Sequence, residues 1–209
     1  MKARDAVGER AQAAFEERWS RGDPWDVAQS ALDQASYTRQ IELLSDRRYE
    51  RALEIGCGAG AFTRLLAPLV GDLVALDIAP SAIERAQAGG GAPANVVFRA
   101  ANVMELDPVA EGPWDLVVMS ETIYCLGWLY SLFEVGWLAE RLHEGTREGG
   151  RFLMANTYGR PNDHLLRPWL INTYRDLFAN IGYGLEHEEV LRGEKEGVEF
   201  DVLISLFWT

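Results

Sequence analysis

The chain has 209 residues, 48% of them apolar and 25% charged, which suits one globular domain with a sizeable core. Its formal net charge of −12, with no cluster of Lys and Arg, argues against a nucleic-acid partner, because phosphate backbones are held by grouped cations. No apolar run reaches the length of a membrane span, so a small molecule is the expected partner. The opening "MKARDAVGERAQAAFEERW" lacks the continuous apolar core of a secretory signal. Two cysteines, Cys57 and Cys125, make neither a disulfide framework nor a metal site. These features point to a cytoplasmic protein with no metal.

Residues 6–20 read as a helix, with Ala11, Phe15 and Trp19 at helical spacing. "RGDPW" breaks it. A second helix is expected from about Asp26, its candidate cap, to Arg47, with Leu32, Ala35, Ile41 and Leu44 near one face. From Arg51 the rhythm changes: "RALEI" is a strand, "GCGAG" a turn and "AFTRLLAPLV" a helix. "DLVALDI" is a strand, and "SAIERAQA" a helix that Ser81 and Glu84 would open as a capping box. "NVVFRAA" and "WDLVVMS" are strands, the latter apolar enough to be buried on both faces. "LYSLFEVGWLAERLHEG" reads as one long helix, "GRFLMAN" as a fifth strand, and "PWLINTYRDLFANIG" as a helix ended by Gly182. "GLEHEEVLRG" and "VEFDVLISLFW" close the chain as two strands around the turn-like "EKEG". The alternation predicts an α/β fold: a doubly wound, mostly parallel seven-stranded sheet with an antiparallel C-terminal edge. Residues 1–48 would form an N-terminal helical lid and 49–209 the core.

In such a sheet ligands sit beyond the carboxyl ends of the strands, where strand order reverses. The turn "GCGAG" fits two patterns. Gly56, Gly58 and Ala61 satisfy a dinucleotide fingerprint, G-x-G-x-x-A; Glu54, Gly56, Gly58 and Gly60 satisfy E-x-G-x-G-x-G. Asp77, about twenty residues on, can hold ribose hydroxyls under either reading. Glu54 separates them. A carboxylate behind the turn repels a pyrophosphate, but can favour a cationic ligand or accept bonds from the turn itself. Two long helical segments before the first strand, and a chain short for a separate substrate domain, also weigh against a nicotinamide dehydrogenase.

Residues 51–155 resemble the class I S-adenosylmethionine-dependent methyltransferases. "LEIGCGAG", "VALDIAPSAI" and "WDLVVMSETIYCL" look like the cofactor turn, the ribose-binding strand and the strand and loop near the reacting methyl. The longer phrases look like the nodulation protein S (NodS-like) branch, whose members N-methylate an amino-sugar oligomer precursor. The resemblance implies S-adenosylmethionine as cofactor. It puts Gly56, Cys57, Gly58 and Gly60 at the methionine end, with Asp77 on the ribose and Ile78 beside the adenine. Asn102 and Val103 would touch the adenine edge, where many relatives carry Asp. Ser120 would offer its carbonyl to the ammonium, and Tyr37 is a candidate lid contact to the carboxylate.

Glu121 and Tyr124 fall at the expected substrate mouth. Glu121 is a candidate to attract an ammonium substrate or stabilise an ammonium product, or else pairs with a basic residue or caps the following helix. Tyr124 is a pocket wall or a participant. His164, in a loop after the fifth strand, is a candidate base or substrate ligand, or a solvated residue. His143 suits a helix end and His187 an ion-paired surface. Trp25, Trp128, Tyr130, Tyr158 and Trp169 are core residues or the walls of a planar pocket. Phe15 and Trp19 either close over a bound cofactor or pack permanently. Cys57 fits the turn by its small size, and Cys125 is an apolar filler. The expected activity is N-methylation of an amino sugar, with O-methylation of a secondary metabolite and non-catalytic cofactor binding as alternatives.

Overall fold

The computed structural model describes residues 2–27, 29–159, 166–195 and 197–209. Its strands are β1 (Tyr49–Ile55), β2 (Val70–Asp77), β3 (Val96–Ala100), β4 (Trp114–Ser120), β5 (Thr146–Tyr158), β6 (Gly184–Lys195) and β7 (Val198–Trp208). They form one seven-stranded sheet in the order β3-β2-β1-β4-β5-β7-β6. The first five run parallel, and β7 lies antiparallel between β5 and β6. Sheet order reverses between β1 and β4, the place where this architecture opens a crevice. The helices are α1 (Lys2–Trp19), α2 (Ala31–Leu44), α3 (Ala61–Leu66), α4 (Pro80–Ala88), α5 (Pro108–Glu111), α6 (Ile123–Leu129), α7 (Leu132–Gly145) and α8 (Pro168–Ile181). None of the described helices is long and apolar enough to cross a membrane.

The period of two along each strand splits the core into two layers. Val117 and Met119 of β4 join Phe152, Phe178 and Phe207 under α7 and α8. Leu116 and Val118 join Leu32, Leu44, Phe62 and Leu66 under α2 and α3. All four β4 residues are fully buried, as the apolar run predicts. Each such side chain contributes about 1.5–3 kcal/mol. Phe152 and Phe178 stack with centroids 4.4 Å apart.

Several local expectations are corrected. Asp26 does not cap α2; that helix starts at Ala31, where the Ser30 hydroxyl accepts the Asp33 N–H. Its buried stripe is Leu32, Ser36, Gln40 and Leu44, while Ala35 faces solvent. The two polar members meet through Gln40 Nε2–H and Ser36 Oγ at 3.0 Å, while Gln40 Oε1 is buried without a hydrogen-bond partner. Ser81 and Glu84 form no capping box, because Pro80 already opens α4 behind Ala79. The Ser81 hydroxyl instead donates to Glu16 of α1. The capping box occurs at Ser131 and Glu134, inside the run read as one long helix. That cap stops α6 and starts α7, with Tyr130 extended between them. The helix after the glycine turn ends at Leu66, and a 3-10 turn over 67–69 leads into β2.

The N-terminal helices are bound to the core on both sides. Phe15 and Trp19 of α1 pack on Ala79 and Ala82, and Arg85 Nε donates to the Trp19 carbonyl at 3.1 Å. On the other side Lys195 Nζ, at the end of β6, meets Asp33 Oδ2 at 2.7 Å and the Trp25 carbonyl at 2.8 Å.

Candidate active site

A cavity of about 500 Å³ opens beyond the carboxyl ends of β1, β2 and β4, inside the roughly 300–1,000 Å³ range of small-molecule sites. Its floor is the glycine turn. Gly56, Gly58 and Gly60 all have positive φ, at 80°, 53° and 77°, a region that L side chains rarely enter. Gly56 and Cys57 donate their N–H groups to the Leu76 carbonyl, each at 2.8 Å. A Cβ on Gly58 would lie 2.9 Å from the Trp19 ring, so α1 crosses directly above the turn.

Asp77 ends β2 on the cavity wall. Its Oδ2 accepts Gly58 N–H at 3.0 Å and its Oδ1 accepts Ala79 N–H at 2.9 Å. Burial pushes its carboxyl pKa up, against the pull of those amides. Glu54 lies behind the turn, 3% exposed, and does not line the cavity. Burial lifts its pKa to about 7, with Thr63 opposing, and Oε2 has no hydrogen-bond partner. Gly60 is also off the wall: it precedes α3 in left-handed geometry and packs against Phe98 and Arg64.

Ile78, Asn102 and Val103 line one end. The Asn102 side chain already has partners: Oδ1 accepts Met104 N–H at 3.0 Å, and Nδ2 donates to the Tyr130 hydroxyl at 2.9 Å. Gly8 of α1 passes so close that a Cβ there would sit 2.7 Å from Asn102 Nδ2. Phe15, Trp19 and Trp25 close this side, the two tryptophan rings 5.4 Å apart. Trp128 and Trp169 instead stand largely exposed, away from the cavity wall, and Tyr158 is also off it, its hydroxyl 3.4 Å from Asn172 Nδ2.

The opposite end gathers Ser120, Glu121, Tyr124 and Tyr37, and Cys125 packs back toward the Phe15 and Trp19 cluster. The Ser120 carbonyl accepts the Thr122 hydroxyl at 2.9 Å, a contact that hydroxyl shares with the Ile55 carbonyl. Glu121 and Asp26 are the non-glycine residues with positive φ among those described, at 54° and 48°; both line the cavity. Glu121 is half-buried and lines the cavity. Burial raises its pKa to about 7, opposed first by the Thr157 backbone and hydroxyl and then by Tyr124. Thr157 Oγ1 donates to Glu121 Oε2 at 2.9 Å. Burial also pushes the Tyr124 and Tyr37 hydroxyls far up and Cys125 to about 12.

His164 lies outside the described residues; Leu166, two positions on, is on the wall. His143 lies in the last turn of α7, the helix end expected for it, and packs edge-on against Tyr183; His187 Nε2 lies 3.3 Å from Glu189. Thr122, Thr157, Asp33 and Lys195 belong to the wall and carry no motif that would mark them. In all, Asp23, Asp26, Asp33, Asp77 and Glu121 face one lysine among the described lining residues, and Asp33 holds that lysine. A wall of this sign concentrates cations. A carboxylate poised near neutrality can receive an ammonium and take its proton.

The profile of nodulation protein S (NodS) matches residues 9–134. The chain belongs to the NodS family. Nodulation protein S of Bradyrhizobium diazoefficiens is 34% identical over 105 residues, 50% of this chain and 49% of that protein. The chain thus spans about half the length of the curated nodulation proteins it matches in Bradyrhizobium diazoefficiens, Rhizobium tropici and Sinorhizobium fredii. Phosphoethanolamine N-methyltransferase 1 of Arabidopsis thaliana is 32% identical over 126 residues, 60% of this chain and 25% of that protein. The crystal structure of N-methyltransferase NodS from Bradyrhizobium japonicum WM9 with S-adenosyl-L-homocysteine superposes with a TM-score of 0.79 at 22% identity, covering 95% of this chain and 98% of that one. The fold is that of the class I methyltransferases.

Proposed function

We propose that this protein is an S-adenosylmethionine-dependent methyltransferase that methylates the nitrogen of a small amine. One observation carries the reading: a cavity at the sheet's switch point whose wall holds five carboxylates and a single, paired lysine among the described residues. Such a wall rejects a diphosphate and favours a ligand with an ammonium and a sulfonium. The residues fit this cofactor. Gly56, Cys57 and Gly58 would border its methionine end, and Asp77 would bind the ribose hydroxyls. Ile78, Val103 and Asn102 would flank the adenine. The Ser120 carbonyl and the Tyr37 hydroxyl would meet the amino-acid group. Glu54 would act through the turn rather than by contact.

When bound, the cofactor supplies a methyl group already activated on sulfur. The protein's work is then to align the acceptor and exclude water. An amine near the Lys range is protonated at neutral pH and must lose that proton before it can attack. Glu121 takes it, and Tyr124 walls the acceptor's position. Residues 1–48 act as the lid, with Phe15 and Trp19 covering the turn. His164 remains a candidate substrate contact. The acceptor class proposed first is an amino sugar or a related amine, in the cytoplasm, with no nucleic-acid partner.

Calorimetry with S-adenosylmethionine, S-adenosylhomocysteine and NAD tests the cofactor: the first two bind and NAD does not. Tight binding of NAD alone overturns the reading. Labelled methyl transfer to glucosamine-type amines, against phenols and carboxylates, tests the acceptor. Transfer to phenols alone would replace the nitrogen acceptor with oxygen.

A further inference from the structure

We infer that Thr157 is a positioning residue for Glu121, fixing one oxygen of its carboxylate at the cavity wall. The inference rests on the reading of Glu121 as the group that receives the acceptor amine. It begins with strand register. Ser120 pairs with Ala155 at the end of the β4–β5 ladder, and Glu121 N–H donates to the Ala155 carbonyl at 2.7 Å. The next two residues of β5, Asn156 and Thr157, therefore lie beside the turn over 121–123. Both use their side chains on it. Asn156, fully buried, accepts Ile123 N–H through Oδ1 at 3.3 Å and so seats the start of α6. Thr157 takes Glu121 Oε2 at 2.9 Å. From the other side the Thr122 hydroxyl bonds the ends of β1 and β4. Glu121 keeps its left-handed φ of 54° between these holds; a long side chain in that region persists only where its surroundings impose it.

The groups facing Glu121 make this hydroxyl matter. From α6 come Tyr124 and Cys125, and from α2 Tyr37 and Asp33. None is a cation, and Lys195 is held by Asp33. The carboxylate's charge is therefore supported by hydroxyl and amide donors. A donated hydrogen bond favours the ionised form. Loss of the Thr157 hydroxyl should leave Glu121 protonated to higher pH.

The test titrates the protein itself, labelled with ¹³C at the glutamate carboxyls, with the Glu121 signal assigned by its loss in Glu121→Gln. The wild-type midpoint is expected near 7. In Thr157→Val it should rise by about one pH unit. Thr157→Ala should match Val, which guards against a folding defect peculiar to one variant. Thr157→Ser, which keeps the hydroxyl, should stay at the wild-type midpoint. The acid limb of kcat/KM with glucosamine as acceptor should follow the same order. Equal midpoints in all folded variants overturn the inference. Wild-type turnover in Glu121→Gln overturns the role of Glu121 instead, and the two failures are read separately.

Discussion

Two carboxylates in this molecule share one electrostatic state and differ in everything else. Glu54 and Glu121 are both lifted to about 7 by burial. Glu54 sits in the regular run of β1, off the cavity wall, with one oxygen unpartnered. Glu121 sits just past β4, in left-handed backbone, on the wall, with its carboxylate held by Thr157. The shift alone therefore marks no function. Burial produces it both off the cavity and on its wall, and only access and aim distinguish the two positions.

The sharpest way to break this comparison is to neutralise each acid. Glu121→Gln should lower kcat by about 10²–10⁴-fold, the range of a lost proton acceptor, while S-adenosylhomocysteine binding measured by calorimetry stays near wild type. If Glu54→Gln gives the same loss of kcat with binding intact, the distinction fails. For Glu54→Gln the larger effect should appear in stability. The folded-state pKa of Glu54 lies above its ordinary 4.5, so its contribution is most favourable below about 4.5 and is lost as pH rises toward 7. The variant should match wild type in acid and exceed it above pH 7 by up to about 3 kcal/mol, read by denaturant unfolding across pH. Asp77 lies between the two cases, deeply placed yet on the wall. Asp77→Asn should weaken cofactor affinity by roughly tenfold or more, as for a hydrogen bond to a charged group, with kcat at saturating cofactor changed less.

The glycine turn and the succession of strands and helices were legible for a simple reason. Their signals are local: three glycines in alternation, Asp77 at a strand's end, apolar runs of strand length. The cavity's other end was half legible. Glu121 and Tyr124 follow a readable strand, but Thr157 is 36 positions from its partner. It reaches Glu121 through strand register, which no short pattern encodes. Lys195 fell in a segment read as a turn, and it meets Asp33 from 162 positions away. The capping signals failed by competition. Ser81 fits the box pattern, but Pro80 opens the helix and Glu16 takes the hydroxyl. Ser131 fits it too, inside a run whose apolar spacing hid the break. Gln40 sits in a buried stripe against its composition, because Ser36 one turn earlier satisfies its amide nitrogen.

The clasp of Lys195 on Asp33 and the Trp25 carbonyl has a consequence for how the enclosure is assembled. Thr157, Leu166, Lys195 and Phe200 border it from beyond residue 134, where the stretch shared with the family profile stops. Gly56, Asp77 and Val103 border it from within. The wall is therefore built from both parts of the chain, and neither part encloses the cavity alone. The clasp fastens the end of β6 to α2 and to the loop before it, so the late half of the enclosure is anchored to the early half by one ammonium group.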